Sequence, residues 1–167
     1  MSSKKELSEK AYKLGFEALN KYENCAQGTL LAVEETVGPK NDILLKSSTG
    51  FAGGMGLTGI SSCGALTAGI MAIGQRYGRE RSHLGDPEQT QFMKSFVLSK
   101  RLHEQFLDEF GNTACNNLQT SFFGRSYNFW DPDELEQYMK ASTEDNKCAD
   151  LTGKVAQWVT ELLLEEE

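Results

Sequence analysis

The sequence is poor in histidine and proline, with two and three residues, and its basic side chains are in deficit: Lys plus Arg is 17 against 24 Asp plus Glu, a formal charge of −7. Each shortage excludes something. An acidic surface of this kind repels phosphate, so nucleic acid is not an expected partner. A histidine-rich metal site or a hydrolytic triad has only His83 and His103 to draw on. His83 sits in the charged stretch 79–83, and His103 lies beside Glu104 and Asp108, where solvated side chains are the default. No C-x-x-C pair and no C-x-x-C-H run occurs, which removes the local signatures of zinc fingers, thioredoxin-like sites and covalent haem. Residues 47–75 carry no charge, yet eight glycines break them, and the roughly 20 consecutive apolar residues of a membrane helix are missing. Met1–Lys10 has no apolar stretch of the signal-peptide kind, so the expectation is a cytoplasmic protein with reduced cysteines.

Runs of alternating strand residues are also absent, and helical spacing fills the chain. Leu7, Ala11, Leu14, Ala18, Leu19 and Tyr22 recur every three or four residues and predict a helix over 4–22. A second is expected from Cys25 to Val37, stopped by Gly38-Pro39. Asn41 caps a short third, and a fourth runs from about Cys63 to Tyr77. Asp86-Pro87 predicts the start of a long helix ended by Gly111, with Phe92, Phe96, Leu98, Leu102, Phe106, Leu107 and Phe110 as its apolar side. A short helix from Asn112 to Leu118, one begun by Asp131-Pro132 and a last one from about Cys148 to Leu164 complete the pattern, with 119–130 and 141–147 as loops. The length suits one compact core. The reading is a single all-α domain over 1–167, a bundle of six to eight helices with a glycine-rich loop before a central helix. Trp130 and Trp158 are expected in the core or at a dimer contact, and Glu165-Glu166-Glu167 as solvating surface.

Four cysteines are spread along this pattern: Cys25, Cys63, Cys115 and Cys148. Asn24 and Ser62 directly precede two of them, and Asn112 and Asn146 stand three and two residues before the others. All are favoured N-cap types, which places each cysteine in the first turn of a predicted helix. Unpaired N–H groups and the positive helix end stabilise a thiolate there, the form that binds metal or reacts. Ala26, Gly64, Ala114 and Ala149 stand beside the cysteines and let backbone approach a bulky centre. The bland alternative is that each cysteine is a small buried hydrophobe. Ala65, Ala68, Gly69 and Ala72 form a stripe of small residues after Cys63, suited to a tight helix crossing or a ligand. Gly54-Met55-Gly56-Leu57-Thr58-Gly59 matches G-x-G-x-x-G, but no strand precedes it and Gln75-Arg76-Tyr77 stands where the acid should be, so a nucleotide fingerprint is not expected.

Asn24-Cys25-Ala26-Gln27, Phe51 to Gly56, Cys63-Gly64-Ala65, Ile73-Gly74 with Tyr77-Gly78, Phe110-Gly111 before Cys115, and Cys148 together resemble the C_GCAxxG_C_C family of redox-active proteins over nearly the whole chain. Ala68 and Gly69 stand as if the motif's last glycine had been exchanged with its neighbour. The resemblance implies a redox role and points to Cys25, Cys63, Cys115 and Cys148. Split-Soret cytochromes look related through a similar four-cysteine domain with an iron–sulfur centre.

Two classes of function follow as expectations. In one, the four thiolates form a single redox centre, most concretely the ligands of a [2Fe–2S] cluster. Gly54, Gly56, Gly64 and Ala65 would then give the cofactor room, and a partner protein would exchange the electrons. A metal-free variant cycles between dithiol and disulfide with Cys63 as the nucleophile, its helix start being the best defined. In the other class, four cysteines hold structural zinc in an interaction module. A homodimer is plausible for a helical protein of this size.

Overall fold

The computed structural model describes residues 3–88 and 90–166; Met1, Ser2 and Glu167 of the segments discussed above, and Gln89 of the predicted long helix, lie outside them. Among the described residues there are eight α-helices and no strand: α1 Lys4–Tyr22, α2 Cys25–Glu34, α3 Asp42–Ser47, α4 Gly64–Tyr77, α5 Met93–Phe110, α6 Cys115–Phe123, α7 Pro132–Asp145 and α8 Lys147–Glu165. None is long and apolar enough to cross a membrane.

Local chemistry explains most boundaries. Ser3 and Glu6 form a reciprocal capping box at the start of α1, Asn24 caps α2 and Asn41 caps α3. Asp131 accepts the N–H groups of Asp133 and Glu134, with Pro132 at the first helical position of α7. Gly111 and Gly124 end α5 and α6 in left-handed conformation.

The packing rests on close helix approaches. The buried side of α1 is Ser8, Ala11, Gly15, Ala18 and Leu19, small enough for α8 to lie directly on it. A Cβ added to Gly15 would fall 3.0 Å from the Thr152 carbonyl oxygen, and one on Gly153 would fall 2.8 Å from that of Tyr12. The small stripe of α4 serves the same purpose. A Cβ on Gly69 would meet Leu102 at 2.8 Å and Val159 at 2.9 Å, so this stripe seats α5 and α8 rather than a ligand. Leu30, Leu66, Ile73, Leu102, Phe106 and Val155 fill the shared core, each at most 2% exposed.

Four expectations are corrected. The long helix begins at Met93, not at Asp86, whose carboxylate instead closes a single turn with the N–H of Glu88. Leu98 is the first fully buried side chain of that stretch. Leu98, Leu102 and Phe106 follow one face, which leaves Phe96 and Leu107 outside it and exposed. The expected loops are partly helical, since α6 runs on to Phe123 and α7 to Asp145. Trp130 is 72% exposed and not a core residue, whereas Trp158 is partly buried against Phe110.

Candidate functional site

The glycine-rich segment between α3 and α4 builds the site's floor. Gly53, Gly54, Met55, Gly56 and Leu57 all have φ between +59° and +73°, five consecutive residues wound left-handedly. Left-handed winding costs an L-residue about 1–2 kcal/mol, a cost glycine escapes, and only Met55 and Leu57 carry it here. The turn is pinned from several sides. Leu57 N–H donates to the Ala52 carbonyl, Thr58 Oγ1 to that of Gly54, and the Trp130 indole N–H to that of Gly56 at 3.1 Å.

Beyond the turn, Cys63 N–H donates to the Thr113 carbonyl at 2.7 Å and Cys115 N–H to that of Ser61 at 3.0 Å, around an isolated antiparallel bridge between Ser62 and Ala114. This clasp fixes Cys63 and Cys115 relative to each other. Cys63 is itself the N-cap of α4, Cys25 and Cys115 open α2 and α6, and Cys148 is the second residue of α8. The first-turn placement holds at Cys25, Cys115 and Cys148, whereas Cys63 stands one residue ahead of its helix, and only Asn24 caps as its residue type suggests. Asn112 accepts the N–H of Ala114 ahead of α6, and Asn146, left-handed at φ +53°, joins α7 to α8 without a side-chain cap.

These helix starts converge. Cys25, Cys63, Cys115 and Cys148 all line one cavity of about 280 Å³, walled otherwise largely by apolar side chains such as Leu57, Phe129 and Leu135. All four are free thiols; Cys63 is buried and the other three half-buried. Helix α7, with no fully buried residue of its own, contributes Leu135, Tyr138 and Met139 to the wall.

The sulfur atoms differ in environment. The Cys63 thiol donates to Cys25 Sγ, and backbone N–H groups of Gly53, Ala65 and Gly64 point at the same sulfur; together they hold Cys25 down to about 6 against the burial that opposes ionisation. Cys63 keeps its proton and is pushed well up, first by that hydrogen bond and then by burial. The first N–H groups of α4 lie against the sulfur from α2, which favours negative charge at Cys25. Burial raises Cys115 to about 11 and Cys148 to about 12.

Each of these two sulfurs nonetheless receives a donor. Gln119 Nε2 donates to Cys115 Sγ at 3.2 Å, and its amide is oriented because Oε1 accepts the Tyr127 N–H at 2.9 Å. Tyr138 Oη donates to Cys148 Sγ at 3.5 Å. Gln119 and Tyr138 are site residues the sequence did not single out; a polar residue one turn after Cys115 is the only trace Gln119 leaves.

The four residues expected to give a cofactor room fall into two groups. Gly64 and Ala65 contact Cys25 through their N–H groups, and a Cβ on Gly64 would fall 2.7 Å from Cys25 Sγ. Gly54 packs on Cys115, where a Cβ would come within 2.9 Å of that residue's Cβ. Gly56 faces open space and meets the site only through the Trp130 hydrogen bond to its carbonyl. Among the described residues, no three of His, Cys, Asp or Glu are gathered tightly enough to hold one metal ion. The G-x-G-x-x-G match follows a 3-10 turn at Ser48–Phe51 and not a strand.

No curated protein and no solved structure matches the chain. The family model described as "Putative redox-active protein (C_GCAxxG_C_C)" matches residues 23–162, a span that includes all four cysteines and most of the sequence, so the chain belongs to this family.

Proposed function

We propose that the four cysteines act as one redox centre that exchanges electrons with a partner protein, and that its most concrete form is a [2Fe–2S] site. The observation that carries this reading is the cavity: sulfurs from four separate helix starts line one space of about 280 Å³, and hydrogen-bond donors from backbone, amide and phenol are directed at them. Buried donors aimed at sulfur favour the thiolate form that such a centre needs. A [2Fe–2S] cluster takes four thiolates in two pairs, and Cys25 with Cys63 supplies one adjoining pair. A single tetrahedral zinc with Zn–S of about 2.3 Å needs four sulfurs around one point. Against that alternative weighs the absence, among the described residues, of any three ligands so gathered.

When bound, the cluster supplies one-electron chemistry. The chain's own residues do the rest: Gly53, Gly64 and Ala65 hold charge at Cys25, Gln119 and Tyr138 donate to Cys115 and Cys148, and the apolar wall limits water.

The hydrogen-bonded Cys25–Cys63 pair also supports a metal-free reading. Cys25 would attack an incoming disulfide as thiolate, and Cys63, after losing its proton, would displace the mixed disulfide. Two electrons and two protons pass to the acceptor, which leaves as a dithiol. Anaerobic purification separates the two. Coloured protein with iron and sulfide supports the cluster, whereas colourless, metal-free protein whose Cys25 and Cys63 oxidise together supports the dithiol.

A further inference from the structure

One wall of the sulfur cavity is attached more loosely than the others. Helices α1, α2, α4 and α8 bury side chains in the common core, whereas α7 buries none of its own. It covers the cavity all the same. Leu135, Tyr138 and Met139 lie on one face of α7, at three- and four-residue spacing, and line the space that holds the cysteines. Asp133, Glu136 and Lys140, elsewhere on the helix, are exposed.

The stretch 125–145 is tied together as one piece. Glu134 Oε2 accepts both the Arg125 guanidinium and the Asn128 N–H at 2.8 Å, which fastens the loop to the helix that follows it. Bonds to the rest of the fold are few. Among the described residues, and apart from its two ends, three hydrogen bonds leave the stretch. Tyr127 N–H donates to Gln119 Oε1 at 2.9 Å, the Trp130 indole N–H to the Gly56 carbonyl at 3.1 Å, and Tyr138 Oη to Cys148 Sγ at 3.5 Å. Phe129, 6% exposed, is the single buried side chain between 125 and 145. It rests on the left-handed turn, where a Cβ on Gly53 would come within 3.1 Å of its ring. Phe129 and Trp130 thus hold the stretch at one place, on the segment that also carries Gly53 N–H to Cys25 Sγ.

At each end the chain turns on one left-handed residue, Gly124 at φ +78° and Asn146 at φ +53°. Residues at the ends of elements are where hinges absorb backbone rotation. The long edge is not sealed either. A gap of about 50 Å³ lies between Leu19, Asn20 and Glu23 on one side and Tyr138, Met139 and Thr143 on the other. A segment with so few buried apolar contacts opens at lower cost than the whole fold.

We infer that residues 125–145 form a lid over the cysteine cavity, hinged at Gly124 and Asn146 and latched by Phe129 and Trp130 on the left-handed turn. Its role as the gate of a redox centre rests on the function proposed above. Lifting α7 takes Tyr138 off Cys148 and opens the cavity to small reagents. Closed, the lid keeps the sulfurs behind apolar side chains.

The test uses the full-length, anaerobically purified protein. Hydrogen exchange of 132–145 is followed by mass spectrometry alongside α1 and α8. Alkylation of Cys148 by iodoacetamide is timed at fixed pH after reduction and chelation of any metal. In the parent, α7 should exchange well ahead of α8. Trp130→Phe keeps an aromatic ring and removes the indole N–H, a bond worth about a fivefold change in an equilibrium. It should speed α7 exchange and Cys148 alkylation by that same factor and leave α1 and α8 unchanged. Ile60→Ala, at an exposed apolar residue outside the latch, should alter neither. An α7 that exchanges no faster than α8, or a Trp130→Phe variant with both rates unchanged, overturns the lid. So does an effect of Ile60→Ala equal to that of Trp130→Phe. An equal rise in α1 and α8 marks global unfolding, and faster α7 exchange without faster alkylation marks fraying away from the site; either overturns it too. Protein whose cysteines neither hold iron nor oxidise reversibly overturns the redox reading and leaves the lid standing.

Discussion

The sulfur of Cys25 rests at the beginning of a helix that is not its own: Gly64, the first residue of α4, directs its N–H at Cys25 Sγ, and a Cβ on Gly64 would stand only 2.7 Å from that sulfur. The glycine is therefore a space requirement as much as an electrostatic one. Gly64→Ala must displace either Cys25 or the Phe51 carbonyl, which lies equally close. The expected cost is about 1–3 kcal/mol in denaturant unfolding. Gly74, in the same helix, meets nothing within 4 Å, and Gly74→Ala should stabilise by up to about 1 kcal/mol through helix propensity. Equal effects at the two positions would remove the argument.

Thiol ionisation gives a pH signature in the reduced, metal-free protein. Cys25 is held at about 6 in the fold, below its usual value of 9.0, so its contribution to stability is present above pH 9 and is lost as pH falls from 9 through 6. Cys115 and Cys148, raised to about 11 and 12, act in the opposite direction: their contribution is present below pH 9 and is lost as pH rises toward those values. The thiols together therefore favour a stability maximum near pH 9. Thiolate absorbance should show one group titrating near 6, and Cys63→Ala should move it upward, because the Cys63 thiol is the strongest influence holding it down. A titration unchanged by Cys63→Ala would contradict the pairing.

Gln119 and Tyr138 should tune the potential without supplying ligands. A hydrogen bond to a sulfur lowers its charge and favours the reduced state. At about 1 kcal/mol per bond, losing one shifts a one-electron couple on the order of 40 mV. Tyr138→Phe and Gln119→Leu are both expected to lower the midpoint potential of the anaerobic protein by that amount while leaving cysteine-bound metal content unchanged. Potentials that stay fixed, or rise, would count against direct donation to Cys148 and Cys115.

Much of this architecture can be read from residue order, for reasons that can be named. Periodicity and caps are local, so Lys4–Tyr22, the Asn24 and Asn41 caps and the Asp131-Pro132 start emerge from neighbouring residues alone. The placing of each cysteine at a helix start is local too. Asp86-Pro87 misleads because the Asp86 carboxylate closes a single turn with the N–H of Glu88, ahead of a helix that begins only at Met93. The nearness of Cys63 to Cys25 rests on a non-local fact, the docking of the α4 start against the α2 cysteine, which no local pattern announces. Tyr138 reaches Cys148 only because α7 and α8 turn back on each other at Asn146, whose left-handed φ has no sequence signal as clear as glycine.

The bundle and the sulfur cavity are separable. Gly153→Ala places a methyl group 2.8 Å from the Tyr12 carbonyl at the α1–α8 crossing. It should cost about 1–3 kcal/mol, read as a lower unfolding midpoint in denaturant. The folded fraction should keep the absorbance and thiol titration of the parent.

The central claim, that four cysteines make one redox centre, is tested most directly by a redox titration of the anaerobically purified protein and its four single serine variants at Cys25, Cys63, Cys115 and Cys148, each followed through the same visible spectrum and iron content. Every variant should alter the same spectrum and midpoint, since all four sulfurs border one cavity. Variants that leave spectrum, iron content and midpoint of the parent intact at two or more of these positions would contradict it.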